Sequence, residues 1–405
     1  MTTQPDASLP QLAWTDVNAA RLARNHLSAS ATGHDPASVA SAMLGAHAQV
    51  MSAAEVSLAT RMEPGTTRQD VREALWTEHA LVKTYGPRGT VHLLPTHELP
   101  LWTGALSAIP RPTGIPAKAR DGSPLLTPDR LDAVVAAVGD ALADAELTVD
   151  ELTDAVAERA GAWAADPVME AFQDGWPRWR AATAHAAHAG VLCFGHNRGR
   201  KVTYTNPHRW LPGFRPLAPE VALTRLVRRY LYTYGPAHPA HFAKWLAAPT
   251  GWAAALFASL EGEGEVERVV LEAGGERSEA WRVAGEAVEA RDTAAPVPAV
   301  RLLPYFDAFT VASQPRELLF PGRAYERALA GGQAGNYPVL LLDGTVGGVW
   351  HQRRSGRRLQ VTVEPLRPLT PDRRTALETE VERLAHIQEA RAELTVGPVT
   401  VGAHA

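Results

Sequence analysis

The chain of 405 residues contains a single cysteine, Cys193, so no internal disulfide can form. Its setting, Gly190-Val191-Leu192-Cys193-Phe194, reads as a buried strand thiol rather than a nucleophile, and a reducing cytoplasm fits. There is no apolar run of about 18 residues and no apolar core in the polar N-terminal stretch, so neither a membrane span nor a signal peptide is expected. Glycine-rich phosphate loops, G-x-S-x-G elbows and thiolate motifs are missing as well. The histidine pairs His185/His188 and His238/His241 have no cysteine or carboxylate at ligand spacing, so no metal or other cofactor is expected. A basic excess is also lacking: the net charge is −4, which by itself argues against nucleic acid. Lysine is scarce, limited to Lys83, Lys118, Lys201 and Lys244. Arginine carries the rest of the basic charge, which suits bidentate phosphate contacts but equally follows from a GC-rich genome.

What is present is organised around Gly45-Ala46-His47-Ala48-Gln49. Upstream, Asp35-Pro36 reads as the capped start of a helix that Gly45 ends. Downstream, Ser52-Ala53-Ala54-Glu55 reads as a capping box opening a second helix that runs to about Arg61. His47 and Gln49 then fall in a short extended connector and point the same way, with Ala48 behind them. An imidazole and a carboxamide on one face can hold a water beside a helix N-terminus. The alternative is two polar residues that merely satisfy a helix–helix turn.

Residues 1–12 read as a loose tail, followed by a helix from Asp16. A capping-box start at Thr67–Asp70 leads into a helix, and two β-rich runs then flank Gly86-Pro87-Arg88-Gly89 as a hairpin with a basic tip. Helices closed by a hairpin form a winged-helix pattern, and the pattern repeats. Helices from Thr127 and Thr148, and a third over about 177–189, run into a hairpin whose tip holds Arg198, Arg200 and Lys201. A further three helices from Pro219 precede strands near Val266–Leu271 and Ala280–Val283. Beyond the Pro-rich linker 294–298 lie β-rich runs and a final helix from Thr370. The expected architecture is therefore α+β: winged-helix units over 15–125, 126–215 and 216–298, then an antiparallel β module with a terminal helix over 299–395.

Basic residues at hairpin tips suggest a nucleic-acid groove. Arg88, Arg198, Arg200 and Lys201 would meet phosphates, joined by Arg225, Arg228 and Arg229 on a helix and by Arg353, Arg354, Arg357 and Arg358 in a late turn. Taken singly, each reads more readily as a solvated surface charge; together, at hairpin tips, they favour phosphate contact. Trp102, Trp176 and Trp179 are candidates for base stacking. Asp307, closing Leu302-Leu303-Pro304-Tyr305-Phe306-Asp307, is either a turn former or a positioned carboxylate.

The sequence resembles the AlkZ-type tandem winged-helix DNA glycosylases from about residue 15 to 390. The resemblance is carried by 44–49 with the helix to Arg61, Pro87–Pro95, Ala189–Phe194 with Arg209–Pro212, Tyr230–Trp245, Leu302–Asp307 and Gly347–Trp350. In that family the catalytic stretch is Gln, a small or apolar residue, then Gln or Asp. Here the second position is Gln49 and the first is His47. The resemblance implies hydrolysis of the N-glycosidic bond of bulky N7-alkylpurines, some members also unhooking interstrand crosslinks or protecting producers of DNA-alkylating compounds. It implies His47 and Gln49 as catalytic, with Arg61, Arg88, His92, the wing tips, Asp307 and Arg353 as DNA-binding. Because no lysine lies near the motif in sequence, hydrolysis is preferred to a Schiff-base lyase. The expected partner is double-stranded DNA carrying alkyl adducts, bound by a cytoplasmic monomer without cofactor. A winged-helix regulator and an inactive lesion binder remain as alternatives.

Overall fold

The computed structural model describes residues 8–110, 124–170, 175–287 and 296–403. Lys118 lies outside them, as do residues 294 and 295 of the expected linker. The chain opens with β1 (Gln11–Ala13), α1 (Trp14–Arg24), α2 (Pro36–Ala42), β2 (Ala46–His47), α3 (Met51–Ala59), α4 (Arg68–Trp76), β3 (Leu81–Tyr85), β4 (Val91–Pro95) and α5 (Leu99–Ala108). Next come α6 (Pro128–Leu142), β5 (Glu146–Thr148), α7 (Val149–Ala160), β6 (Pro167–Met169), β7 (Trp176–Pro177), α8 (Thr183–His188), β8 (Cys193–Phe194) and β9 (Thr203–Thr205). Then follow α9 (Pro219–Tyr234), α10 (Pro239–Leu246), α11 (Thr250–Gly262), β10 (Val266–Ala273) and β11 (Glu276–Val283). The last stretch is β12 (Val300–Leu303), α12 (Ala308–Ala312), α13 (Arg316–Leu319), α14 (Arg323–Ala328), β13 (Val339–Leu342), β14 (Thr345–Ser355), β15 (Arg358–Pro365), α15 (Pro371–Ile387) and β16 (Arg391–Val396).

Three stretches share one order: helix, short strand, two helices, hairpin. In the first, the strand before the helix pair lies beside the last strand of the hairpin, giving β2-β4-β3. The second repeats this as β5-β9-β8. In the third, Ala237 alone bridges Trp281 of β11 in the corresponding place. Local chemistry supports these elements. Asp35 accepts from the Ser38 amide at the start of α2, and Thr67 with Asp70 forms a capping box on α4, as the sequence predicts.

Three expectations are corrected. Residues 11 and 12 are no tail: β1 pairs in parallel with β10, a partner more than 250 residues away that no local pattern reveals. Ser52 and Glu55 form no capping box, because α3 starts at Met51 without a side-chain cap and the Glu55 carboxylate binds Arg72 at 2.6 Å. The C-terminal sheet, ordered β12-β13-β14-β15-β16, is antiparallel only through β15, and β16 returns parallel to it after α15. A helical crossover permits a parallel strand where a tight turn cannot.

The cores tie the parts together. Val39, Val56, Leu58 and Leu75 of the first stretch pack in one apolar cluster with Val300, Leu340, Trp350 and Leu377 of the C-terminal stretch. Leu44, Val82 and Leu94 share a second cluster with Leu226, Tyr230, Phe242 and Phe257. The middle stretch builds its own around Val134, Leu152, Trp179 and Tyr204.

Candidate active site

His47 and Gln49 meet in a cavity of about 360 Å³ at the junction of these parts. The first stretch contributes His47, Gln49, Arg88 and Thr90, and α10 contributes His241, Lys244 and Trp245. The C-terminal stretch adds Phe306, Val311, Ala312, Gln314, Arg316, Gln333, Ala334 and Asn336. Among the described residues no Asp or Glu lines it.

The connector is shaped by backbone geometry. Leu44 and Gly45 both have positive φ, 58° and 93°, which turns the chain sharply out of α2 into β2. His47 then pairs with His92 across the β2–β4 ladder, and the Ala48 amide donates to the Val91 carbonyl at 2.7 Å. Ala48 is buried behind while Gln49 is exposed at the cavity mouth, as the alternation of an extended connector requires.

His47 is clamped between two rings. Phe306 stacks on it with centroids 4.7 Å apart, and His92 meets it edge-on at 4.9 Å. Burial, with the nearby Arg88 cation, lowers the His47 pKa to about 4, so the ring is neutral at physiological pH. Its Nδ1 is buried and meets no donor or acceptor among the described residues, leaving Nε2 as the nitrogen open to the cavity. His92 is also neutral, its pKa held well below the usual histidine value, first by burial and then by the positive surroundings. Its Nδ1 lies 2.8 Å from the Thr90 carbonyl, which can only accept, so that nitrogen carries the proton.

Arg61 and Asp307 do not reach the cavity. Both side chains are fully buried, and the guanidinium donates to both carboxylate oxygens at 2.8 Å. Ser57 donates to the same carboxylate at 2.6 Å, while Arg61 also donates to the Asn25 and Ser57 carbonyls. Asp307 in turn accepts from the Phe309 amide and caps α12. The pair thus pins α3 to the loop that carries Phe306, whose φ of 54° sets its ring over His47. Expected as DNA contacts, Arg61 and Asp307 are instead saturated structural partners, and buried His92 is likewise a support for His47. Arg88 is no free wing tip either: with φ of 61° it turns inward, and its Nη1 donates to the Trp245 carbonyl at 2.9 Å.

A family model for AlkZ-like DNA glycosylases matches residues 40–387. The chain belongs to the AlkZ-like DNA glycosylase family. An interstrand DNA cross-link repair glycosylase from Streptomyces sahachiroi is 29% identical over 346 residues, covering 83% of this chain and 87% of that protein. The solved structure of the Streptomyces sahachiroi DNA glycosylase AlkZ superposes with a TM-score of 0.76 at 25% identity, covering 96% of this chain and all of that one. This AlkZ-like protein is thus a DNA glycosylase with a mixed helix-and-sheet fold. None of its described helices is long and apolar enough to cross a membrane.

The remaining basic residues of this glycosylase are distributed unevenly. At the second hairpin tip, Arg198 pairs with Glu151 at 3.0 Å and Lys201 with Asp150 at 2.8 Å, while Arg200 stays exposed. Arg228 pairs with Glu265, and Arg229 binds Glu98 and Ser41, so neither is a free phosphate contact. Arg353 is exposed near the end of β14. Trp102 and Trp179 are core residues, and exposed Trp176 is covered by Arg180 at 4.0 Å from its ring centre. His238 and His241 form a capping box on α10. Cys193 is buried with its thiol pKa pushed up by burial, as its apolar setting predicts.

Sequence reasoning missed Phe306, His241, Lys244, Gln314, Arg316 and Asn336. Phe306, His241 and Lys244 sit inside segments that carry the family resemblance, so a signal existed. Arg316 and Asn336 had none. Lys244 also removes the sequence-based reason for setting a lyase aside, because it lines the same cavity as His47 and Gln49.

Proposed function

We propose that this protein hydrolyses the N-glycosidic bond of bulky N7-alkylguanine in duplex DNA, as a monomer and without cofactor, with water as nucleophile. The observation that carries the reading is a cavity holding neutral His47 beside Gln49 but, among the described residues, no carboxylic acid. Ordinary purines need a proton donor to leave. An N7-alkylated guanine is already cationic and needs none, so a site without an acid suits that leaving group. What remains is to place a water against the oxocarbenium-like sugar. Gln49 orients that water through its carboxamide, and His47 holds it or takes its proton. A base of low pKa suffices because the electrophile is so reactive. Three successive winged-helix units and the C-terminal β module form the cradle for the duplex, with Arg200, Arg353 and the paired wing cations Arg198 and Lys201 along the backbone. Release of interstrand crosslinks is part of the proposal, supported by the named activity of the Streptomyces sahachiroi relative.

The test is base release from a duplex carrying one defined bulky N7-guanine adduct, by wild type, His47→Ala and Gln49→Ala. Alkali-labile abasic sites made by wild type and reduced about a hundredfold or more in each variant are expected, since positioned acid–base groups contribute on that order. Full activity in both variants would remove the active site from this cavity. Borohydride added to an abasic duplex with the enzyme should trap no covalent adduct, and an adduct dependent on Lys244 would overturn the choice of water.

A further inference from the structure

About half of the described arginines are paired with carboxylates, several of them at the surface. Arg72 binds Glu55, Arg301 binds Glu380, Arg327 binds Glu364 and Arg61 binds Asp307. Three cations in the cavity have no such partner, and unlike buried Arg21, whose guanidinium donates to three carbonyls, two of them keep donors free. Arg88, Lys244 and Arg316 all stand in its wall, and none of them forms an ion pair with a described carboxylate. Arg316 is buried, its Nη1 and Nη2 committed to the Thr310 and Val311 carbonyls and its Nε without a partner. Arg88 has one protein acceptor, the Trp245 carbonyl, and reaches it only through a left-handed backbone that a non-glycine residue adopts at a cost. Burial depresses both guanidinium pKa values to about 10, and Arg88 adds to the depression at Arg316, so both stay charged at neutral pH. The half-buried charge of Arg88 on its strained backbone and the buried charge of Arg316 without a carboxylate are costly, and an incoming anion offsets that cost.

From this wall we infer a binding site for a single phosphodiester of the DNA, the one next to the nucleotide whose base is released. The inference rests on the proposed glycosylase reading. A cationic N7-alkylguanine would be repelled by the same wall, so the cavity receives backbone and sugar while the damaged base stays outside it in the groove. An anion bound there shares the cavity with His47 and Gln49, and its charge favours the positive sugar of the transition state. Arg88 and Lys244 each have donors left for its oxygens, and a guanidinium suits two of them at once.

The experiment replaces single phosphodiesters around the adduct by uncharged methylphosphonates and measures single-turnover base release and equilibrium affinity. One flanking replacement should slow release by wild type roughly tenfold or more, as loss of a charge-assisted contact does, whereas a replacement several nucleotides away should not. Exposed Lys244 can be removed without disturbing the core, so the comparison is repeated in Lys244→Ala. There the same replacement should cost clearly less, because partners in one contact are not additive. Equal rates and affinities for all methylphosphonate positions, or an undiminished penalty in Lys244→Ala, would overturn the phosphate site. So would protection against unfolding by inorganic phosphate alone with no methylphosphonate effect, which would identify a site for free anions. If wild type binds the adduct-bearing duplex but releases no base, the glycosidic reading fails, while the affinity difference still decides the phosphate site.

Discussion

At the scale of single residues, His47 is defined by what surrounds it rather than by its own chemistry. Phe306 on one face and His92 at the edge deny it solvent, and Arg88 adds a like charge, so its pKa falls from 6.5 to about 4. The sign of the consequence follows from linkage. The unfolded chain takes up the His47 proton near pH 6.5 and the folded one only near 4, so its contribution to stability is complete above about 6.5. That contribution is lost as pH falls towards 4, up to about 3 kcal/mol. Buried His92, also shifted down, acts in the same direction. Chemical denaturation at pH 7 and pH 4.5 should therefore show a smaller loss in His47→Gln than in wild type. The same variant separates the two roles of the ring. Gln restores the family's Gln-x-Gln pattern and can hold a water but cannot take its proton, so retained base release identifies His47 as a water holder. A loss matching His47→Ala identifies it as a base.

At the scale of elements, the site depends on how closely the first hairpin lies against the connector. A Cβ on Gly86 would stand 2.9 Å from the His92 ring, so the strand-to-turn junction must be glycine for that ring to lie where it supports His47. Gly45 combines φ of 93° with a Cβ position 2.6 Å from Leu94. Gly86→Ala should cost about 1–3 kcal/mol by overpacking, read from thermal or denaturant unfolding, and should lower base release beyond what that loss explains. The elements themselves were largely legible. Asp35-Pro36, Thr67–Asp70, Thr148–Glu151 and the Gly-Pro-Arg-Gly turn mark helix starts and a hairpin because capping and turn chemistry are local. Ser52–Glu55 misled because the same four residues satisfy a capping pattern while Glu55 is claimed by Arg72 from the next helix. The three residues of β1 are too few to show a pattern and become a strand only beside a distant partner, whereas β16 alternates polar and apolar residues but its parallel pairing with β15 depends on the return made by α15.

At the scale of the whole molecule, the first stretch owns no core of its own. It shares one apolar cluster with the C-terminal stretch and another with the third. A chain ending at residue 287 would expose Val39, Leu58 and Leu75 and lose Phe306 and the Asp307 partner of Arg61. It should lose cooperative near-ultraviolet and thermal transitions in the first stretch and release no base. The middle stretch, with a separate cluster, should keep its own unfolding transition in that truncation. Retention of a single wild-type-like transition would show the shared cores to be dispensable.

The sequence by itself determined the helix starts, the hairpins, the buried thiol and the short connector that places His47 and Gln49 on one face. Each of these depends on neighbours within a few residues, where backbone sterics and capping act. Only the tertiary structure decided what stands around that connector. Phe306, Lys244 and Arg316 are nearly 200 or more residues from His47, and their approach is fixed by shared cores and by the buried Arg61–Asp307 pair. The charges divided in the same way. The sequence shows how many arginines there are, but whether one is neutralised, as Arg198 is, or left bare in a cavity, as Arg88 is, depends on which carboxylates folding brings within a few ångströms.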